Sequence, residues 1–296
     1  METGTLFALL LGLSAGIGWG VSGFFDAKAS RSVGPLTAAF LVNCIIAVLY
    51  AVIFLIVWRE SFTVTNAGFW FAASSGVIIT IGALAYFKGL SIGPVSLVSP
   101  MSSSYPLVTT LLAIFVFNAR LAAWQVFGIG LILVGIMTIT GMLRPRQLKS
   151  LESRGPLLGL GAAIGWGIGY TLLAQAVARL GWQSATFIEF IAMALAFGAC
   201  IPLVHGGRFI ALASLRAGLR DRNVLYASSI ALCAALSFNI GLSHDSAGGS
   251  IVATLSACYP VLTVLLALHK LGETVAVKQL LGAACSIAGV IIIAAA

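Results

Sequence analysis

Charge is what this chain has least of. Only 8% of its 296 residues are Asp, Glu, Lys or Arg, whereas 60% are hydrophobic, and the mean hydropathy is +1.10. So little polar surface cannot clothe a soluble globule, and a bilayer has to serve as the solvent. Acids are scarcer than bases, and the formal charge is +8. In a soluble protein that excess would suggest nucleic acid. Here the basic residues sit in short connections between apolar runs and read as topology signals, so no nucleic-acid partner is expected.

Other absences narrow the chemistry. Cys44, Cys200, Cys233, Cys258 and Cys285 lie inside apolar runs with no Cys-x-x-Cys spacing, which argues against a disulfide framework or a zinc site. There is no His-Glu-x-x-His, no Gly-x-Ser-x-Gly and no phosphate loop, and His205, His244 and His269 are scattered near span ends. No catalytic residue, metal or cofactor is therefore expected. No basic region precedes the first apolar stretch, 6–25, so it reads as a span rather than a signal peptide.

What the chain does have is apolar runs of bilayer-crossing length. At a rise of 1.5 Å a span takes roughly 20 residues. Cuts at charged or Pro/Gly-marked connections then give segments near 5–25, 36–58, 67–88, 95–117, 122–142, 156–178, 184–205, 223–243, 248–269 and 275–295. The connections 143–155 and 206–223 are the longest and too short for a soluble domain. With this count, thirteen of the sixteen basic residues fall on one side, and only Arg59, Arg120 and Arg179 fall on the other. The positive-inside rule puts the richer side in the cytoplasm and both termini outside.

The runs repeat. Leu11-Gly12-Leu13 and Ile17-Gly18-Trp19-Gly20 recur at the same spacing as Leu158-Gly159-Leu160 and Ile164-Gly165-Trp166-Gly167. Ala83-Leu84 with Gly89-Leu90-Ser91 returns as Ala235-Leu236 with Gly241-Leu242-Ser243. Tyr105-Pro106 returns as Tyr259-Pro260, and Gln125, Gly128 and Gly135 match Gln279, Gly282 and Gly289. An odd number of spans per repeat makes the second half enter the membrane from the opposite side, a common way of building transporters, although duplication also occurs in channels and membrane enzymes. The expected fold is an all-α polytopic membrane protein: ten transmembrane helices in two inverted five-helix repeats, residues 1–150 and 151–296, around a central cavity.

Several residues stand out against this background. Gly12, Gly16 and Gly20, and Gly161, Gly165 and Gly169, form stripes that let helix backbones approach closely. Trp19 and Trp166 lie within spans, not at interfaces, and are candidate cavity walls. Pro106 and Pro260 near mid-span would free the carbonyls of Ser102 and Ser256, in surroundings made polar by Tyr105, Thr109, Tyr259 and Thr263; this is either a substrate path with hinges at the prolines or a plain kink. Seven acids, Asp26 among them, fall at or near span ends or in loops. Glu189 alone lies inside a span. It either stays hydrated a turn from the interface or meets a substrate amine or a coupling proton. Lys88 reads as a snorkelling residue, and Asn43, Asn239 and His244 as helix–helix hydrogen bonders or weaker ligand contacts.

Together these residues resemble the EamA-type branch of the drug/metabolite transporter superfamily over nearly the whole chain. The second half carries the family's proline-containing span, Leu271-Gly272-Glu273 turn and final span with Gln279, Gly282 and Gly289. The first half has Phe117-Asn118-Ala119 in place of the turn, so Glu273 reads as a turn or capping residue. Within the family the likeness is greatest to bacterial amino-acid exporters, which implies ATP-independent efflux across the inner membrane by alternating access, with a small molecule and membrane lipid as partners and a monomer as the working unit. Trp19, Tyr86, Tyr105, Trp166, Tyr170, Phe238, Asn239 and Tyr259 are the expected cavity walls, with Ser102, Glu189 and Ser256 as further contacts. Aromatic rings would suit apolar side chains, and polar groups the zwitterionic end. Drug efflux in the manner of the four-span relatives is disfavoured because 12–25 contains no carboxylate. Alkaline phosphatase fused to the C-terminus should be active; a cytoplasmically active reporter there would overturn the orientation.

Overall fold

The computed structural model describes residues 3–117, 123–140, 151–204, 206–244, 252, 256 and 259–294, and among these every regular element is helical. In chain order they are α1, Thr3–Ser32; α2, Pro35–Ile53; α3, Asn66–Ile92; α4, Val95–Ser102; α5, Tyr105–Phe117; α6, Ala123–Thr140; α7, Leu151–Val204; α8, Leu212–Arg220; α9, Arg222–His244; α10, Tyr259–Lys270; and α11, Val277–Ala294. A π-helical turn, Phe54–Trp58, and a 3₁₀ turn, Arg59–Ser61, extend α2. Four stretches among the described residues are long and apolar enough to cross a membrane: Pro35–Ser61, Asn66–Ile92, Arg154–Leu203 and Arg222–Gly241. Ile56, Leu195 and Leu203 turn outward, a cost in water and none in lipid.

Local chemistry sets the boundaries. Pro35 opens α2, where its missing N–H is no loss, and Thr65 caps α3 by accepting from the Gly68 amide at 3.2 Å. Asp221 caps α9 through the Asn223 amide at 2.7 Å and also accepts from the Ser32 hydroxyl. Burial works against its charged form, but these hydrogen bonds prevail and hold the carboxyl below the usual range. At Gly181, φ is 72° and ψ 158°, a conformation open to glycine, which divides α7 into two arms. Each arm is longer than the roughly 20 residues of a bilayer crossing.

Three expectations change. The first span runs to Ser32, not 25, because nothing before Val33-Gly34-Pro35 stops the helix. The 95–117 span is two helices that break at Ser103 and Ser104. Pro106 is the second residue of α5 and Pro260 the second of α10. A proline there opens a helix and does not interrupt one, so neither frees a mid-helix carbonyl. At the first-half break the hydroxyls of Ser103 and Ser104 bond the Pro100 carbonyl at 2.9 and 3.2 Å. Finally, the polar 206–223 connection contains α8, whose Gly218 lies against Leu41 of α2.

The most extensive packing joins α3 to α7, α1 to α9 and α6 to α11. These contacts are reciprocal between repeat-matched residues. A methyl on Gly18 would lie 2.7 Å from the Ala234 Cβ, and one on Gly165, the match of Gly18, 2.9 Å from the Gly82 Cα. A methyl on Gly135 would lie 2.5 Å from the Gly282 carbonyl oxygen, and one on Gly289 2.5 Å from that of Gly128.

Glu273 is a cap, as expected, but of a helix in the other repeat. Its carboxylate accepts from the amides of Val95 and Ser96 at 2.9 and 3.0 Å and from the Ser96 hydroxyl at 2.9 Å, neutralising the exposed donors at the start of α4. Arg31 donates to the same carboxylate at 3.0 Å and to the Gly93 carbonyl at 3.3 Å. Gly135→Ala and Gly289→Ala should each cost about 1–3 kcal/mol of stability, read as a lowered melting temperature in detergent. Gly130→Ala, with open space around it, should cost nothing. Equal melting of all three would refute this packing.

Candidate functional site

A cavity of about 160 Å³ is enclosed by α1, α2, α3, α5, α7, α9 and α10. Its walls are aromatic, and they too pair reciprocally. Trp19 packs on Phe238 with centroids 5.1 Å apart, and its match Trp166 packs on Tyr86, the match of Phe238, at 5.0 Å. Tyr105 meets Tyr170 at 5.2 Å, and Tyr170 meets Phe238 at 6.1 Å. Alanines at 83 and 235, also matched, leave the space these rings surround.

Trp19, Tyr86, Tyr105, Trp166, Tyr170, Glu189, Phe238, Asn239 and Tyr259 all line this cavity. Ser102 does not reach it. It stands behind the wall and shares a 2.7 Å hydrogen bond with the Tyr259 hydroxyl, bridging α4 and α10. Ser256 is buried and is not among the lining residues. Glu189 is 3% exposed, with the Ser75 hydroxyl beside its carboxyl. Asn239 donates to the Thr186 hydroxyl at 2.9 Å, one turn before Glu189. Lys88 is exposed, and His244 packs against Phe7 at the periphery.

The sequence reading missed Asp26. It lies inside α1, is 7% exposed and lines the cavity together with Ser22 and Trp19, positions i, i+3 and i+7 of one helix face. Continuing the Trp19 stripe along the helix would have reached it; the assumption that the span ends at 25 hid it. The absence of a first-span carboxylate, the reason given against cation efflux, therefore does not hold. Asn43 also lines the cavity, although its side-chain amide donates to the Ala39 carbonyl of its own helix at 2.8 Å.

The cavity is not symmetric. The spacing that carries Trp19 onto Trp166 carries Asp26 onto Leu173, also a lining residue. The Tyr86 hydroxyl approaches α1 at Gly23, whereas Phe238 has no hydroxyl. Asp26 and the Tyr86 hydroxyl thus have no polar counterparts at the matched positions, Leu173 and Phe238. Asp26 and Glu189 are the only charged side chains among the lining residues, which include no Lys, Arg or His.

A helical membrane chain with carboxyl groups facing an aromatic cavity has the make-up of a membrane transporter. Sequence comparison supplies the family: the EamA-like transporter family matches over residues 6–141 and again over 153–295, and the chain belongs to it. An uncharacterized protein of Methanocaldococcus jannaschii is 32% identical over 133 residues, 45% of this chain and 96% of that protein. An uncharacterized transporter of Archaeoglobus fulgidus is 25% identical over 186 residues, 63% of this chain and 65% of its own length. A solved crystal structure of a protein with 17% identity overlays 96% of this chain and 94% of its own with a TM-score of 0.63, a likeness of fold alone.

The Ser102–Tyr259 bond is testable by itself. Ser102→Ala and Tyr259→Phe should each cost about 1 kcal/mol, since each remaining hydroxyl keeps the Ser99 carbonyl as a partner. The double variant should cost less than their sum in a thermal melt; strict additivity would mean the bond contributes nothing.

Proposed function

We propose that this chain is a secondary transporter that exports small amine-bearing metabolites, aromatic and other neutral amino acids among them, across a bacterial inner membrane. The working unit is one chain of ten spans in two inverted five-helix halves, 1–150 and 151–296, with both termini outside. Alternating access comes from exchange of the two halves between equivalent arrangements about the cavity, with the chain bending where α5 and α10 begin, at Pro106 and Pro260. The observation that carries this reading is the reciprocal walling of the cavity, Trp19 on Phe238 and Trp166 on Tyr86. A cavity whose aromatic walls come from matched positions in both halves presents like walls whichever way it opens.

Two further observations support it. The Methanocaldococcus relative, matched over nearly its whole length to 45% of this chain, has about the length of one half. The aromatic walls offer large contact area to an apolar side chain, while Asp26, Glu189, Asn239 and the tyrosine hydroxyls offer partners to an amine. Proteoliposomes containing the purified chain and preloaded with phenylalanine or threonine should take up the labelled amino acid by counterflow. Exchange of neither, with a nucleotide sugar or phosphate ester exchanging instead, would replace the amino-acid reading.

A further inference from the structure

Asp26 and Glu189 sit on different helices, in different repeats, and open into one cavity. Neither has a cationic partner there. Arg31, further along α1, is engaged with Glu273, and Lys28 is exposed and lies over the Phe24 ring. Asp26 Oδ1 and Asn239 Oδ1 are buried and have no hydrogen-bond partner among the described residues. Every other titratable side chain on the wall is a tyrosine: Tyr86 from α3, Tyr105 from α5, Tyr170 from α7 and Tyr259 from α10.

A carboxylate withdrawn from water without a positive partner is costly, and helical membrane proteins keep such groups where a cargo or ion meets them. The surrounding rings of Trp19, Tyr86, Trp166, Tyr170 and Phe238 carry π-systems that attract a cation and offer a carboxylate nothing comparable. Acids, acceptor oxygens and aromatic faces all favour positive charge. No donor of matching strength waits for a carboxylate.

We propose that the group recognised in the cargo is its positively charged amine, met by the cavity carboxyls of Asp26 and Glu189, and that an amino acid's carboxylate contributes nothing to binding. The site therefore prefers organic amines and carboxyl-blocked amino acids, which carry net positive charge, to the zwitterions of the same shape. Asp26 supplies one carboxyl from the first repeat and Glu189 the other from the second.

This rests on the reading of the cavity as the transport site, and a series of ligands of one shape separates the two. Binding of phenethylamine, phenylalanine methyl ester, phenylalanine and 3-phenylpropionate to the detergent-purified full chain is followed by tryptophan fluorescence, with counterflow of labelled phenylalanine measured in parallel. The amine and the ester should bind at least tenfold more tightly than phenylalanine, and 3-phenylpropionate should not bind. Asp26→Asn and Glu189→Gln should each weaken the amine tenfold or more while leaving the benzyl contacts in place. Phenylalanine binding as tightly as phenethylamine overturns the charge preference and leaves transport standing if counterflow persists. Absence of both binding and counterflow for the whole series overturns the transport reading and this inference with it. The wild-type series decides the question even if a carboxylate variant does not fold.

Discussion

In hydrocarbon an apolar side chain gains nothing by leaving lipid for a neighbouring helix, so helices cohere only where their backbones come within direct contact. In this chain that contact is made at glycine. A methyl on Gly135 or Gly289 would run into a carbonyl oxygen of the facing helix, and one on Gly18 or Gly165 into the helix across from it. The rest of the architecture depends on this approach. Only helices packed this tightly bring Trp19 to Phe238 and Trp166 to Tyr86 and leave a defined space between them.

The same solvent governs the polar groups. With no water at membrane depth, hydroxyls and carboxylates must find partners inside the protein or face a cavity. Ser102 at the end of α4 and the two serines of the break after it follow the first course, returning their hydroxyls to the carbonyls of Ser99 and Pro100. Asp26 and Glu189 follow the second. Glu273 shows a third solution near the helix ends, where one carboxylate satisfies the first amides of α4 and an arginine together and ties the two repeats to each other.

Much of the site was legible in the residues. Tryptophans away from interfaces, tyrosines and one intramembrane glutamate were each unusual enough in a bilayer to mark a cavity, and these seven, with Phe238 and Asn239, line it. The errors shared a cause. Ending the first span at 25 put Asp26 at the span's edge, although no helix stop occurs before Gly34. Reading Pro106 and Pro260 as mid-helix breakers assumed continuous spans. The break at Ser103 and Ser104 is signalled only by Pro106, which suits a first turn, and by a run of serines, each a tolerable helix residue in lipid. Ser102 was correctly singled out as polar and buried, but whether it faced the cavity or the tyrosine behind it depended on helix rotation.

Composition and periodicity by themselves determined that the chain lives in a membrane, that it is helical and that one half resembles the other, because each of these is a property of residues counted along the chain. Only the tertiary structure decided that Asp26 and Glu189 open into a common space, that Asp26 faces the cavity where its repeat match is Leu173, and that Glu273 caps a helix of the other repeat. Those facts depend on the rotation of each helix about its axis and on which helices are neighbours. Side-chain spacing along one helix carries the first only modulo a turn, and the second not at all.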